Sequence, residues 1–481
     1  MNLLALFVSL LAPLQAPPRN IVVILSDDHR YDFMGFMPGA PSWLETPALD
    51  RMAAQGAHLV NAFVTTSLCS PSRASLLTGR YAHRHGVVDN TSAIPPGTTF
   101  FPELFQRAGY RTAYIGKWHM GEGTDSDAPR PGFDYWVSFP GQGVYVDPQL
   151  NVNGRRVMRQ GYTTDILTDY ALEWLGRQGR AASDAPFLLI LSSKAVHAEF
   201  IPAPRHRDRY AAAPIPYPPT MANDTSNYRG KPDWVRAQRN SWHGVDYMYH
   251  GGMRFDEFYR RYAETLLALD ESVGRVLALL DTTGLARRTL VLYMGDNGFL
   301  LGEHGLIDKR NAYEESIRIP MLAYAPGWIA PGTTVKSMVR NIDIAPTLLA
   351  LANLRAPWPI DGRSVLGALR GAAGDTLTGE LLYEYYWEYA FPHTPTTLAL
   401  RGDRFKYILY HGVWDQRELY DIARDPAERQ NLIAEPAYQD TVRSFHDRLW
   451  KQLGATDGMR IPLRRGDWQA GDRGPAKEKS P

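Results

Sequence analysis

A single cysteine, Cys69, occurs in 481 residues. No internal disulfide can form, so the fold rests on its core, and the sulfur is either inert filler or a reactive group. Excess charge of one sign is lacking too: 52 Lys and Arg stand against 51 Asp and Glu, a net of +1. That balance excludes a chain-wide basic footprint, and nucleic acid is not an expected partner, although a local basic cleft is compatible with it. Long apolar runs are scarce. The one candidate, residues 1–16, is too short to span a bilayer as a helix, so no membrane span is expected. It ends in small residues and reads as a secretory signal peptide cut after Ala16, though without the usual positive start. Export to the periplasm or the medium is the expectation; a first core strand is the competing reading. There are no internal repeats. At 44% hydrophobic and 21% charged, the chain can bury a core large enough for two packed units.

Several short runs have the apolar, β-branched character of strands buried on both faces: residues 20–25, 57–64, 111–115, 186–192 and 289–294. Helices are expected between them at 46–54, opened by Thr46 and Pro47, and at 102–108, 163–176 and 255–280. The last carries apolar spacing at Leu266, Leu269, Val273, Val276 and Leu280. Such alternation predicts an α/β fold, a doubly wound and mostly parallel sheet flanked by helices. After Asp361-Gly362-Arg363-Ser364 the pattern shifts to short strands at 381–389, 397–402, 405–410 and 418–421, then a helix at 442–453. The expected division is a signal peptide at 1–16, a catalytic domain at 18–370, an antiparallel α+β subdomain at 371–465 and a disordered tail at 466–481. Residues 202–252 are rich in Pro, Asn, Tyr, Trp and Arg without a period, a long irregular insert of the kind that carries function.

Chemistry-bearing residues gather at strand ends, where open α/β sheets place their active groups. Asp27 and Asp28 follow the first run, and Asp296 and Asn297 the last. Each alone is more often a turn or cap residue. Together they offer only oxygen, which suits Ca²⁺ or Mg²⁺ rather than zinc. Three such carboxylates would repel one another severely without a cation between them. Cys69 opens Cys-Ser-Pro-Ser-Arg, then a helical stretch at 74–77 that stops at Gly79. This reads as a loop feeding a helix N-terminus, where an unmodified thiol is expected to have a lowered pKa.

The order Cys-x-Pro-x-Arg at 69–73, followed by Leu-Thr-Gly-Arg at 77–80, resembles the signature of the type I sulfatases, which share the alkaline-phosphatase-like fold. The likeness extends over residues 20–435, including Gly-Lys-Trp-His at 116–119, Gly-Glu-His-Gly-Leu at 302–306 and Asp-Pro at 425–426. One departure is Gly-Asp-Asn-Gly at 295–298, where many members read Ser-Asp-His-Gly. The resemblance implies that a maturation enzyme converts Cys69 to Cα-formylglycine. One hydroxyl of the aldehyde hydrate attacks sulfur and the other then expels sulfate. It implies a metal site of Asp27, Asp28, Asp296, Asn297 and the modified Cys69, with Ca²⁺ expected ahead of Mg²⁺. It gives Arg73 and Lys117 the task of holding the diol, and His119 that of assisting sulfate release. His197 and Lys309 bind sulfate, and one of the two protonates the leaving alcohol. Sulfate carries its charge on peripheral oxygens, so several fixed positive donors around it are physically required. Taken singly, each of these cations is more often a solvated surface charge, and each histidine a structural one.

Asp308-Lys309-Arg310 with Tyr313-Glu314-Glu315-Ser316 is similar to sulfatases of sulfated sugars, glucosamine 6-sulfate types among them. Trp234, Trp242, His243 and Tyr247 in the insert, and Glu384, Tyr385, Trp387 and Glu388 further on, suit a sugar ring or simply pack the two units together. The expected activity is removal of sulfate from a sulfated carbohydrate. A phosphonate monoester or phosphodiester hydrolase of the same superfamily is the alternative. A non-catalytic sulfoglycan-binding protein, with Cys69 unmodified, is a third.

Overall fold

The computed structural model describes residues 16–121, 127–180, 184–247, 252–371, 379–412 and 416–460. The expected signal peptide, apart from its last residue, and the whole expected tail lie outside them. Strand β1 (Asn20–Ser26) is buried along its full length and forms the sheet centre. Further strands are β2 (Ala57–Leu59), β3 (Ala62–Phe63), β4 (Arg111–Gly116), β5 (Tyr135–Ser138), β6 (Gln149–Val152) and β7 (Arg155–Met158). β8 (Phe187–Ser192), β9 (Thr289–Gly295), β10 (Met321–Tyr324), β11 (Thr333–Val335) and β12 (Val339–Arg340) follow. Ten of them make one sheet in the order β11-β2-β10-β9-β1-β8-β4-β5-β6-β7. The central strands β5, β4, β8, β1 and β9 run parallel; β10, β6 and β7 turn antiparallel towards the edges.

Side chains along β1 alternate between two cores. Val22 and Ile24 pack on one face with the helices Pro47–Gln55, Thr163–Arg180 and Phe255–Thr282. Ile21, Val23 and Leu25 pack on the other, with Ala74, Leu76 and Leu77 of the helix Cys69–Thr78 and with the helix Ile344–Leu351. The mostly parallel sheet covered on both sides is thus as expected, and all five residues of the apolar stripe in the long helix are buried. The run at 57–64 is two strands rather than one: Val60 and Asn61 break it, and Val60 N–H donates to Val335 O. Thr46 does not cap its helix, because its hydroxyl donates to Asp50; Asp270 instead accepts from the first-turn amides of Ala48 and Leu49.

A second sheet, β13 (Leu381–Tyr385), β14 (Thr397–Arg401), β15 (Phe405–Tyr410) and β16 (Arg417–Asp421), is an antiparallel meander. The helix Gln439–Ala455 covers it through Val442, Phe445, Leu449 and Leu453. Glu384 N–H donates to Thr65 O, and Arg401 pairs with Glu314, so this unit is fastened to the main one beside the carboxyl ends of its strands.

Gly116 ends β4 at φ +120°, and a Cβ there would lie 1.8 Å from Ser192 O on β8. The next residue, Lys117, donates its amide to that same oxygen at 2.8 Å. Gly116→Ala must push β4 from β8 at the site edge. A loss of about 3 kcal/mol or more in urea denaturation is expected; an unchanged midpoint would contradict the close approach.

Candidate active site

Adjacent strand ends build the acidic centre. β1 and β9 are paired with Ser26 opposite Gly295, so Asp27 and Asp296 emerge side by side. Asp28 follows in the left-handed region (φ 56°), and its N–H donates to Asp296 Oδ1 at 3.1 Å. Asn297 Nδ2 donates to Asp28 Oδ1 (2.7 Å) and to Gly298 O (2.8 Å). All four side chains are buried.

The helix Cys69–Thr78 supplies the facing groups. It starts at the cysteine itself, earlier than residues 74–77 alone implied, and Gly79 closes it at φ 71°. Cys69 and Arg73 are four residues apart and so share a face. Sγ of Cys69 lies 3.5 Å from Asp27 Oδ1. Arg73 forks onto Asp296 Oδ2 (Nε 3.0 Å, NH2 2.8 Å) and reaches Asp27 Oδ2 at 3.5 Å. Its other amino group holds Lys117 O (2.7 Å) and Ser192 Oγ (2.6 Å). Lys117 Nζ pairs with Asp27 Oδ2 and donates to Gln142 Oε1 at 2.5 Å. Lys309 Nζ pairs with Asp28 Oδ1 (2.5 Å) and lies 2.8 Å from Cys69 Sγ. His197 Nε2 is 3.7 Å from Asp28 Oδ2, while its Nδ1 donates to Ala198 O at 2.8 Å. His119 Nδ1 is 3.5 Å from Ser70 Oγ, beside Cys69. All ten expected residues therefore converge.

The charges set the protonation states. Burial raises the Asp27 carboxyl, but the Lys117 and Arg73 charges outweigh it and hold the group well below the usual carboxylate range. Burial and the Asp27 charge raise Asp28 despite Lys309, and they push Asp296 up to about 6 despite Arg73. Burial, reinforced by Lys117, keeps His119 and His197 neutral. The expected lowering of the thiol pKa is overturned: burial, with the Asp27 charge, pushes Cys69 up to about 12. A helix start cannot offset complete burial among carboxylates. The unmodified sulfur is a poor nucleophile here.

The donor set fits a hard divalent cation. Carboxylate oxygens of Asp27 and Asp28 lie within 4.8 Å of each other, of Cys69 Sγ and of a His197 ring nitrogen. Asn297 Oδ1, buried beside them, has no hydrogen-bond donor. An orphaned amide oxygen among carboxylates is a ligand of the type Ca²⁺ and Mg²⁺ take.

Two further features escaped the sequence reading. Gln142 tethers Lys117 from a Gly-Gln-Gly turn, which carries no signal in a single sequence. His197 stands five residues beyond the end of β8 rather than at it. Next to Lys309, Asp308 Oδ1 binds His243 Nδ1 (3.1 Å) and Arg310 (3.0 Å), while Asp308 Oδ2 and His243 Nε2 are buried without partners. Arg310 also pairs with Glu388 at 2.8 Å and lies over the Phe391 ring. Of the candidate sugar contacts, Glu384 takes its packing role: it binds His83 and Tyr386.

A buried oxygen-donor site facing a single cysteine, ringed by cations and set at the carboxyl ends of a parallel sheet, defines a hydrolase of small anionic esters. The chain belongs to the sulfatase family, whose model it matches over residues 19–354. Residues 302–454 match the model described as N-sulphoglucosamine sulphohydrolase, C-terminal. An N-acetylglucosamine-6-O-sulfatase of Bacteroides thetaiotaomicron is 32% identical over 476 residues, covering 87% of this chain and 83% of that one. The human N-acetylglucosamine-6-sulfatase is 31% identical over 406 residues, covering 79% and 70%. The solved structure of a protein in complex with its substrate D-glucosamine-2-N,6-O-disulfate matches with a TM-score of 0.84 at 29% identity, covering 93% of this chain and all of that one. The protein is a sulfuric ester hydrolase with the alkaline-phosphatase-like fold. Its family implies a divalent metal and a formylglycine made from the cysteine.

Arg73 is the main partner of Asp296. Arg73→Met leaves buried carboxylate unpaired, and chelator-treated variant is expected to lose about 3–5 kcal/mol in denaturant titration. A loss below about 1 kcal/mol, the range of surface pairs, would contradict the pairing.

Proposed function

We propose that this enzyme removes the 6-O-sulfate from a glucosamine-type sugar, with Ca²⁺ as the metal and Cys69 as the precursor of the nucleophile. The observation that carries the mechanism is the convergence on Cys69 Sγ of Asp27, Lys309 and, through Asp27, Lys117 and Arg73. The substrate class rests on the N-acetylglucosamine-6-O-sulfatase relatives and on Asp308 and His243. These two present one buried acceptor and one buried ring nitrogen without protein partners beside Lys309, a pair suited to a sugar hydroxyl.

When present, the metal and the formylglycine supply a Lewis acid and an activated hydroxyl. The chain's own residues do the rest. Asp27, Asp28, Asp296 and Asn297 are the metal ligands, completed by the modified Cys69. Arg73 and Lys117 orient the side chain at position 69, and Gln142 holds Lys117 in place. His119 takes a proton on its neutral ring during sulfate release. His197 and Lys309 hold the sulfate oxygens, and one of them delivers the proton to the departing alcohol. In this reading residues 18–370 form the catalytic domain, 371–465 the C-terminal subdomain that walls the sugar, and the leader at 1–16 directs export. No helix among the described residues is long and apolar enough to cross a membrane.

A panel of sulfated glucosamine and galactosamine mono- and disaccharides tests the substrate. Release from the glucosamine 6-position should exceed that from other positions by at least about tenfold. Equal or faster cleavage of an aryl phosphodiester than of an aryl sulfate would assign the chain to the alternative phosphoester activity. Cys69→Ala should fold normally and lose at least about 10³-fold in kcat. Cys69→Ser retains one hydroxyl and lacks the second, so no more than a single turnover is expected. Peptide mass spectrometry of active protein should show position 69 as formylglycine; an unaltered cysteine in fully active enzyme would end this mechanism.

A further inference from the structure

A cavity of about 320 Å³ lies between the C-terminal unit and the helix Asp233–Ala237, lined by Trp234, Trp387, Pro392, His393, Thr396 and His411, among others. It is separate from the Cys69 site, and among the described residues no carboxylate lines it. One wall is Trp387, 48% exposed. That ring is fixed in place: its Nε1 donates to Pro392 O at 3.2 Å, and its backbone N–H to Thr396 Oγ1 at 3.0 Å. Tyr389, 89% exposed, sets its ring edge-on to Trp387 at 6.3 Å. Trp234 is held from behind, edge-on to Tyr410 at 4.9 Å.

Trp387 and Tyr389 are exposed side by side, a contiguous aromatic patch of the kind that marks an interaction site. A rigid indole beside histidine and threonine polar groups suits a pyranose. The sugar's C–H face stacks on the ring, and its hydroxyls meet the polar rim. One short segment of chain joins the cavity wall to residues beside the active site. Phe391, next to Pro392, lies under Arg310 at 3.7 Å and against His243 at 4.7 Å, the residues that hold Asp308. Glu388, next to Trp387, binds Arg310 as well. Residues 387–396 therefore face the sulfated sugar's pocket on one side and this cavity on the other.

We propose that the Trp387 cavity is a distal sugar subsite, taking a non-sulfated pyranose of the same oligosaccharide whose sulfated sugar occupies the Cys69 site. The proposal rests on the carbohydrate reading above and extends it: the enzyme then prefers oligosaccharides to monosaccharides. Trp387 makes its hydrogen bonds to Thr396 and Pro392 and none to the ten residues around Cys69.

The test compares full-length wild type, Trp387→Ala and Trp387→Phe on glucosamine 6-sulfate and on a tetrasaccharide ending in it. Wild type should have the higher kcat/KM on the tetrasaccharide. Trp387→Ala should lower that value about tenfold, mainly through KM, and leave the monosaccharide within about twofold. Trp387→Phe, which keeps a stacking face, should retain most of it. Equal losses on both substrates, or none on the tetrasaccharide, overturn the subsite. Saturation-transfer NMR with the desulfated tetrasaccharide separates this proposal from the substrate assignment. Transfer in wild type and not in Trp387→Ala supports the subsite even in a chain that fails to cleave glucosamine 6-sulfate. Absent transfer alongside normal 6-sulfate turnover sinks the subsite alone.

Discussion

Three carboxylates brought together out of water are the constraint on which this structure turns. Asp27, Asp28 and Asp296 are each at most 2% exposed, and burial alone would drive them towards the neutral form. The fold meets this with three cations from three different elements: Arg73 from a helix, Lys117 from the end of β4 and Lys309 from the loop after β9. No short segment could supply this set. Parallel pairing of β1 with its two neighbours sets the acids side by side, and the crossovers required by parallel strands bring the bases to the same edge. The cluster is thus a consequence of topology, and the stability of the sheet edge and the chemistry of the site depend on the same ion pairs.

Much of this was legible in the chain. The runs at β1, β8, β9 and β4 are apolar at their centres because both faces are covered, and such runs stand out without an alignment. The polar residues just beyond them fall at strand ends, where α/β active sites lie. Less legible were β5, β6, β7 and β10, whose short segments carry too little pattern to mark a strand. The break at Val60 and Asn61 was invisible because it depends on Val335, far away in sequence. The capping role of Thr46 was misjudged for the same reason, since Asp270 on a distant helix does that work.

The site shows the same division. Residue types at strand ends announced the acidic cluster; its protonation did not follow from local sequence. A helix start favours a thiolate, yet Cys69 is held neutral, because burial and Asp27 act on it more strongly than a terminal dipole that fades within one turn. Electrostatics at a buried point sums over groups from the whole chain, so it is the last property a linear reading can supply. Gln142 is a smaller instance. Its importance comes entirely from Lys117 Nζ lying 2.5 Å away.

Satisfied and unsatisfied groups divide the site by function. Around Cys69 nearly every buried polar atom has a partner in the chain, which fixes the geometry before any ligand arrives. Among the exceptions are Asn297 Oδ1 beside the carboxylates, and Asp308 Oδ2 with His243 Nε2 beside Lys309. A buried acceptor without a donor costs free energy that the fold has to offset elsewhere. Such groups persist where something from outside completes them. The first spot has the hardness of a divalent cation site, and the second the mixed donor and acceptor character of a sugar hydroxyl. Lys309 lies between them, touching Asp28 and Cys69 on one side and following Asp308 on the other. Under the proposed function, one short loop thereby couples recognition of the sugar to the position of the sulfate, and a sugar that misses Asp308 would also present its ester wrongly to the reacting group.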